Sequence, residues 1–179
     1  MKKSNLWIIF PLIFLLFLGC AKQHQKGLIT PVTPEQKNQS QLIDELPRNL
    51  TKKRKTVVLH AINNLGQPYT WGGHAPDTGF DCSGLVFYTH GKAGLIVPRT
   101  TKDQFKKGRP ISKPAIQPGD LVFFKIPGKK ADLHVGIYIG TEQFIHAPGS
   151  GRKICLSHLN NSYFSQHFQG ARSYFKFNR

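Results

Sequence analysis

The chain has 179 residues, enough for one domain with a substantial core and too few for two. It carries 25 Lys and Arg against 9 Asp and Glu, a formal charge of +16, so anionic partners are favoured and cationic ones disfavoured. Three cysteines leave room for at most one internal disulfide.

Met1-Lys2-Lys3 is a short positive head, and residues 6–18 form an almost unbroken hydrophobic run. The run is too short to span a bilayer comfortably and reads as an export signal. It ends at Leu16-Phe17-Leu18-Gly19-Cys20, which resembles a bacterial lipoprotein signal, although Phe17 stands where an aliphatic residue is usual. That resemblance implies a signal peptide over residues 1–19 and a lipid on Cys20 that holds the protein on a membrane. Ala21, rather than Asp, follows the cysteine and implies the periplasmic face of the outer membrane. An uncleaved anchor or an ordinary export signal is the other reading. An exported protein meets little nucleic acid, so the basic surface faces anionic wall polymer or lipid head groups, or serves solubility alone.

Residues 20–50 are rich in Gln, Lys, Asn, Thr and Pro without a sustained period, and read as a tether preceding a domain over residues 51–179. Within that domain Val57, Val58, Ala61, Ile62 and Leu65 recur at helical spacing, predicting a helix over residues 51–65 that is closed by Gly66 and Pro68. Asp81 is a cap for a second helix over residues 82–93, stopped by Gly94, and residues 101–107 form a third. Beyond Pro118-Gly119-Asp120 the pattern turns to strands over residues 121–125, 133–139, 143–147, 153–157 and 171–177. Helices first and strands later predict an α+β fold, an antiparallel sheet of about five strands with helices on one face.

Cys82 opens the second helix, where unpaired backbone N–H groups and the helix dipole favour a thiolate and lower its pKa. A nucleophilic thiolate needs a base. His134 and His146 are equidistant from Gly140, so a hairpin centred there sets them directly opposite each other, close enough for one imidazole to bond the other. Gly136 beside them leaves room for the helix start to approach. In that arrangement Cys82 attacks, His134 exchanges its proton and His146 orients His134. The Cys82 backbone N–H is an oxyanion donor, and no second donor is identifiable. Three other readings use the same residues: a zinc site of Cys82, His134 and His146, core histidines with satisfied hydrogen bonds, and a structural disulfide between Cys82 and Cys155.

Six blocks then fall in one order: Tyr69-Thr70-Trp71-Gly72-Gly73, Phe80-Asp81-Cys82-Ser83-Gly84-Leu85-Val86, Pro98-Arg99-Thr100, Pro118-Gly119-Asp120-Leu121-Val122-Phe123-Phe124, His134-Val135-Gly136-Ile137-Tyr138-Ile139-Gly140 and Phe144-Ile145-His146-Ala147. Together they resemble the NlpC family of cell-wall cysteine peptidases over residues 55–177. The resemblance implies a papain-like fold and a Cys82, His134, His146 triad that hydrolyses peptidoglycan stem peptides or their cross-links without metal or other cofactor. It places Tyr69 at the active site and gives Asp81 and Ser83 to a substrate amino group. Arg99 is either a ligand for a substrate carboxylate or one half of a loop ion pair, and Trp71 is expected in the core rather than as a substrate platform. The chain is similar to the single-domain lipoprotein branch, which implies a membrane-held monomer with peptidoglycan peptides as partner. A wall-binding lipoprotein without activity and a papain-like amidase or acyltransferase are the alternatives.

Overall fold

The computed structural model describes residues 39–127 and 133–176. Residues 1–38, with the expected export signal and Cys20, lie outside the described residues. Three of the predicted helices form where expected. Thr51 caps α2 (Lys52–Asn63) by accepting from the Arg54 backbone N–H. Val57, Val58, Ala61 and Ile62 are its buried stripe. Asp81 caps α3 (Cys82–Lys92), accepting from the Gly84 N–H at 2.6 Å. Thr100 caps α4 (Thr101–Lys107) in the same way through Asp103.

Chain order begins earlier than predicted. A one-turn helix, α1 (Gln39–Asp44), lies inside the stretch read as tether, and its Leu42 joins the core. The segment has only two adjacent apolar residues and no periodicity; Leu42 is buried by the core cluster that it joins, which the local pattern does not reveal. A small ladder, β1 (His74–Ala75) with β2 (Gly79–Phe80), precedes α3.

The sheet has six strands rather than five: β3 (Arg109–Ile111), β4 (Leu121–Lys125), β5 (Leu133–Gly140), β6 (Gln143–His146), β7 (Cys155–His158) and β8 (Phe168–Ser173). Their order is β3-β8-β4-β5-β6-β7, and every pair is antiparallel. The extra strand is the edge piece Arg-Pro-Ile, whose proline is tolerated only at such an edge. β4 is central and covered on both sides, which explains its continuous Leu-Val-Phe-Phe run. Leu121 and Phe123 pack with the apolar stripes of α2 and α3, whereas Val122 and Phe124 join Phe144 and Leu159 in a second cluster. Helices therefore do not keep to one face: α5 (Ser162–His167) places Phe164 on that second cluster.

The β5–β6 hairpin does not turn on Gly140 alone. Thr141 and Glu142 both take positive φ, 48° and 58°, and form the two-residue connection that matches the twist of the strands. Ile137 therefore faces Ile145 and Tyr138 faces Phe144, with an irregularity between Tyr138 and Gly140. This register places His134 and His146 on the same face, diagonally rather than directly opposite.

Candidate active site

Gly84, in the first turn of α3, has no room for a side chain because a Cβ there would fall on the Gly73 carbonyl oxygen. That close approach draws the Tyr69-to-Gly73 loop onto the helix start. A second tie runs from the Asp81 carboxylate, which accepts from the Gly72 N–H at 3.0 Å. Cys82 is thereby held between this loop, α4 and the start of β5.

Cys82, His134 and His146 line one cleft of about 600 Å³, together with Tyr69, Trp71 and Phe164. His134 Nε2 lies 2.7 Å from His146 Nδ1. His134 is 9% exposed and His146 4% exposed, so water does not compete for that bond. His146 Nε2 is directed at Ser157 Oγ, 3.0 Å away, with Cys155 Sγ at 3.5 Å. Burial first, then the nearby charges of His134 and Arg152, push His146 well below the ordinary histidine pKa, so it works as a neutral imidazole. Phe164 and Phe144 pack on its ring at centroid distances of 5.4 and 5.1 Å and provide that dry setting.

The prediction of a lowered thiol pKa does not hold for Cys82. Burial pushes the thiol up, and the Asp81 charge adds to this. The Thr101 hydroxyl, 3.6 Å from Sγ, and the backbone of Val135 and Ser83 act in the opposite direction. Desolvation outweighs the helix start, and formation of the thiolate therefore depends on a neighbouring cation. The disulfide reading fails: Cys82 and Cys155 are both thiols. The donor geometry does not suit the zinc reading, because the two imidazole nitrogens that face each other cannot also aim their lone pairs at one ion. Among the described residues no three His, Cys, Asp or Glu side chains are grouped as metal ligands.

A second cleft of about 780 Å³ adjoins Cys82 and is lined by Tyr69, Trp71, Asp81, Ser83, Arg99 and Thr101. Here the expected substrate ligands bind each other. Arg99 Nη2 donates to Asp81 Oδ2 at 2.8 Å, and Nη1 to Asp81 Oδ1 and Ser83 Oγ at 3.0 Å each. The loop ion pair is thus the arrangement present, and the Asp81 carboxylate is already engaged by Arg99 and by two backbone N–H groups. Tyr69 lines both clefts, and its phenol is pushed up chiefly by burial, then by Cys82 and Asp81.

Trp71 is not a core residue. It is 78% exposed and stands on the wall shared by both clefts. Sequence reasoning also missed Thr101 and Ser157. A second threonine after the cap Thr100 carries no sign that it meets a cysteine nineteen positions away, and Ser157 becomes visible only once β6 and β7 are paired with His146 opposite Cys155.

The profile of the NlpC/P60 family matches residues 66–173. Murein DD-endopeptidase MepH of Escherichia coli K12 is 37% identical over 73% of this chain and 49% of its own length. The bifunctional muramidase/DL-endopeptidase CwlT of Bacillus subtilis 168 is 44% identical over 63% of this chain and 34% of its own. A lipoprotein-like NLP/P60 family protein from Staphylococcus aureus Mu50 superposes with a TM-score of 0.65 at 32% identity, covering 74% of this chain and 45% of that one. The chain thus spans about half or less of the length of these relatives.

Proposed function

From the premise that the chain belongs to the NlpC/P60 family, we propose that it is a thiol endopeptidase of peptidoglycan peptides in which Cys82 is the nucleophile, His134 the base and His146 its orienting partner. The observation that carries this reading is the 2.7 Å bond between His134 Nε2 and His146 Nδ1 in the cleft that Cys82 lines. With Nε2 engaged, Nδ1 is the nitrogen His134 brings to proton exchange.

His134 takes the thiol proton, and the resulting imidazolium is the cation that a desolvated thiolate requires. The thiolate attacks the amide carbon, and the oxygen that becomes negative meets the Cys82 backbone N–H, which lies at the first helical position and has no intrahelical acceptor. His134 then passes its proton to the leaving amine, which departs and leaves a thioester on Cys82. A water enters, gives a proton to His134 and cleaves the thioester; the proton returns to sulfur, and the carboxylic acid leaves. Tyr69 and Trp71 form the wall on either side of which the two halves of a peptide would lie.

The residues around Cys20 support a lipid anchor on the periplasmic face of the outer membrane, as part of the same proposal. Two experiments test the whole. Digestion of purified sacculi followed by mass analysis of the products should release peptide fragments, and Cys82→Ser should release none. Incubating expressing cells with labelled palmitate should label the protein, and Cys20→Ala should remove that label. Intact sacculi after treatment with folded protein would sink the enzymatic reading and leave a wall-binding role.

A further inference from the structure

The neutral imidazole of His146 has one N–H and one lone pair, and two bonds at opposite ends of its ring to satisfy. Which nitrogen carries the hydrogen decides whether His134 can work. Once His134 has taken a proton from sulfur, both of its nitrogens bear hydrogen, so His146 Nδ1 must offer the lone pair. The single hydrogen of His146 then sits on Nε2, in a buried position, and must have an acceptor. In the opposite tautomer His146 Nδ1–H would donate to His134 Nε2. The hydrogen of a neutral His134 would then move to Nδ1, the atom brought to Cys82, and the base would be lost.

We infer that Ser157 is a positioning residue for the proposed hydrolysis: its hydroxyl oxygen accepts the Nε2–H of His146, 3.0 Å away, and so holds His146 in the tautomer that lets His134 act as base. The fold builds this contact deliberately. β7 pairs with β6 so that Cys155 faces His146 and Ser157 faces Phe144, which brings Ser157 to the same face as His146 and diagonal to it. Cys155 Sγ, at 3.5 Å from that nitrogen, is the competing side-chain partner, and a thiol is a weak acceptor. The chain of bonds therefore runs from Ser157 through His146 to His134, and it rests on the reading of Cys82 and His134 given above.

The experiment replaces Ser157 in the full chain by Ala and by Thr and follows three quantities. With a soluble cross-linked muropeptide, Ser157→Ala should lower kcat about tenfold at little changed KM, the loss of one hydrogen bond, and Ser157→Thr should restore it. The rate of Cys82 carboxamidomethylation by iodoacetamide, assigned to that residue by mass spectrometry, should fall in Ser157→Ala below pH 7 and recover in Ser157→Thr. In the 15N imidazole spectrum, His146 Nε2 should change from the protonated to the unprotonated type. An alanine variant that keeps the wild-type kcat, alkylation profile and nitrogen shifts overturns the inference. So does one that loses activity together with melting temperature while alkylation and tautomer stay as in the wild type. If the wild type itself releases nothing from sacculi, the reading of the site fails separately, and the alkylation and nitrogen measurements still decide the role of Ser157.

Discussion

The ring of Phe144 occupies the place where a side chain on Gly136 would stand: a Cβ there would fall against Phe144 Cδ2. Phe144 in turn lies against His146, with ring centroids 5.1 Å apart. The glycine thus sets the position of the imidazole that is bonded to His134, rather than opening a path for α3. Gly136→Ala should cost about 1–3 kcal/mol through overpacking. It should also slow peptide release at temperatures well below unfolding, because Phe144 is hemmed in by Phe124 and Phe164 as well and passes the displacement on to His146. Melting temperature and turnover measured on the same sample check both. Wild-type turnover in a destabilised variant would show that His146 is not held through Phe144.

Thr101 bears on Cys82 in a different way. Its hydroxyl lies 3.6 Å from Cys82 Sγ and opposes the upward push of burial on the thiol. Thr101→Val keeps the shape and removes the donor, so the thiol should be harder to ionise. The pH of half-maximal Cys82 alkylation should rise, and Thr101→Ser should keep the original value. An unshifted curve in the valine variant would mean that the contact is packing only.

Much of this architecture could be read in the sequence because local chemistry and final fold agree there. Thr51, Asp81 and Thr100 cap helices at the positions their residue types demand, and the run Leu121 to Phe124 is central because only a strand covered on both faces tolerates it. That Cys82, His134 and His146 line one cleft was legible for the same reason: a capped helix start and two alternating strands set their directions. The misses share a different cause. Leu42, Trp71, Thr101 and Ser157 are placed by partners remote in sequence, and the hairpin register slipped because Thr141 and Glu142 adopt backbone angles that their side chains do not advertise.

The ion pair of Arg99 with Asp81 screens a negative charge next to Cys82. Arg99→Ala removes the guanidinium that screens Asp81, so the Asp81 charge pushes the Cys82 thiol further up. The expected result is slower Cys82 alkylation at neutral pH and slower peptide release. The stability loss should be about 1 kcal/mol, modest because a third of the Arg99 side chain is exposed, at 33%, and solvent already screens it. Arg99→Lys should recover part of the alkylation rate, since it returns the charge without the planar fork. Site-resolved alkylation and a urea titration separate the electrostatic effect from the structural one. An alanine variant with an unchanged alkylation rate would remove Arg99 from any role at Cys82.

His90 should govern the stability of the domain in mild acid. It is fully buried on α3, with Nδ1 3.1 Å from the Val86 carbonyl and 3.3 Å from the Thr89 hydroxyl. Arg54 of α2 adds a positive charge nearby, itself paired with Asp120 at 3.1 Å, and Tyr174 and Phe175 beyond β8 close the remaining side. Burial above all holds its pKa at about 4, against 6.5 for an exposed histidine. The folded state therefore binds the proton less readily than the unfolded chain. The stability associated with neutral His90 is fully present above pH 6.5 and is lost as pH falls towards 4, up to about 3 kcal/mol at 1.36 kcal/mol per unit. His146 and His60, both lowered by burial, act in the same direction. Urea titrations at pH 7, 5.5 and 4 should show the midpoint falling with pH, and His90→Gln should flatten that fall even if its stability at pH 7 is lower. An identical pH dependence in the variant would assign the acid sensitivity to other groups.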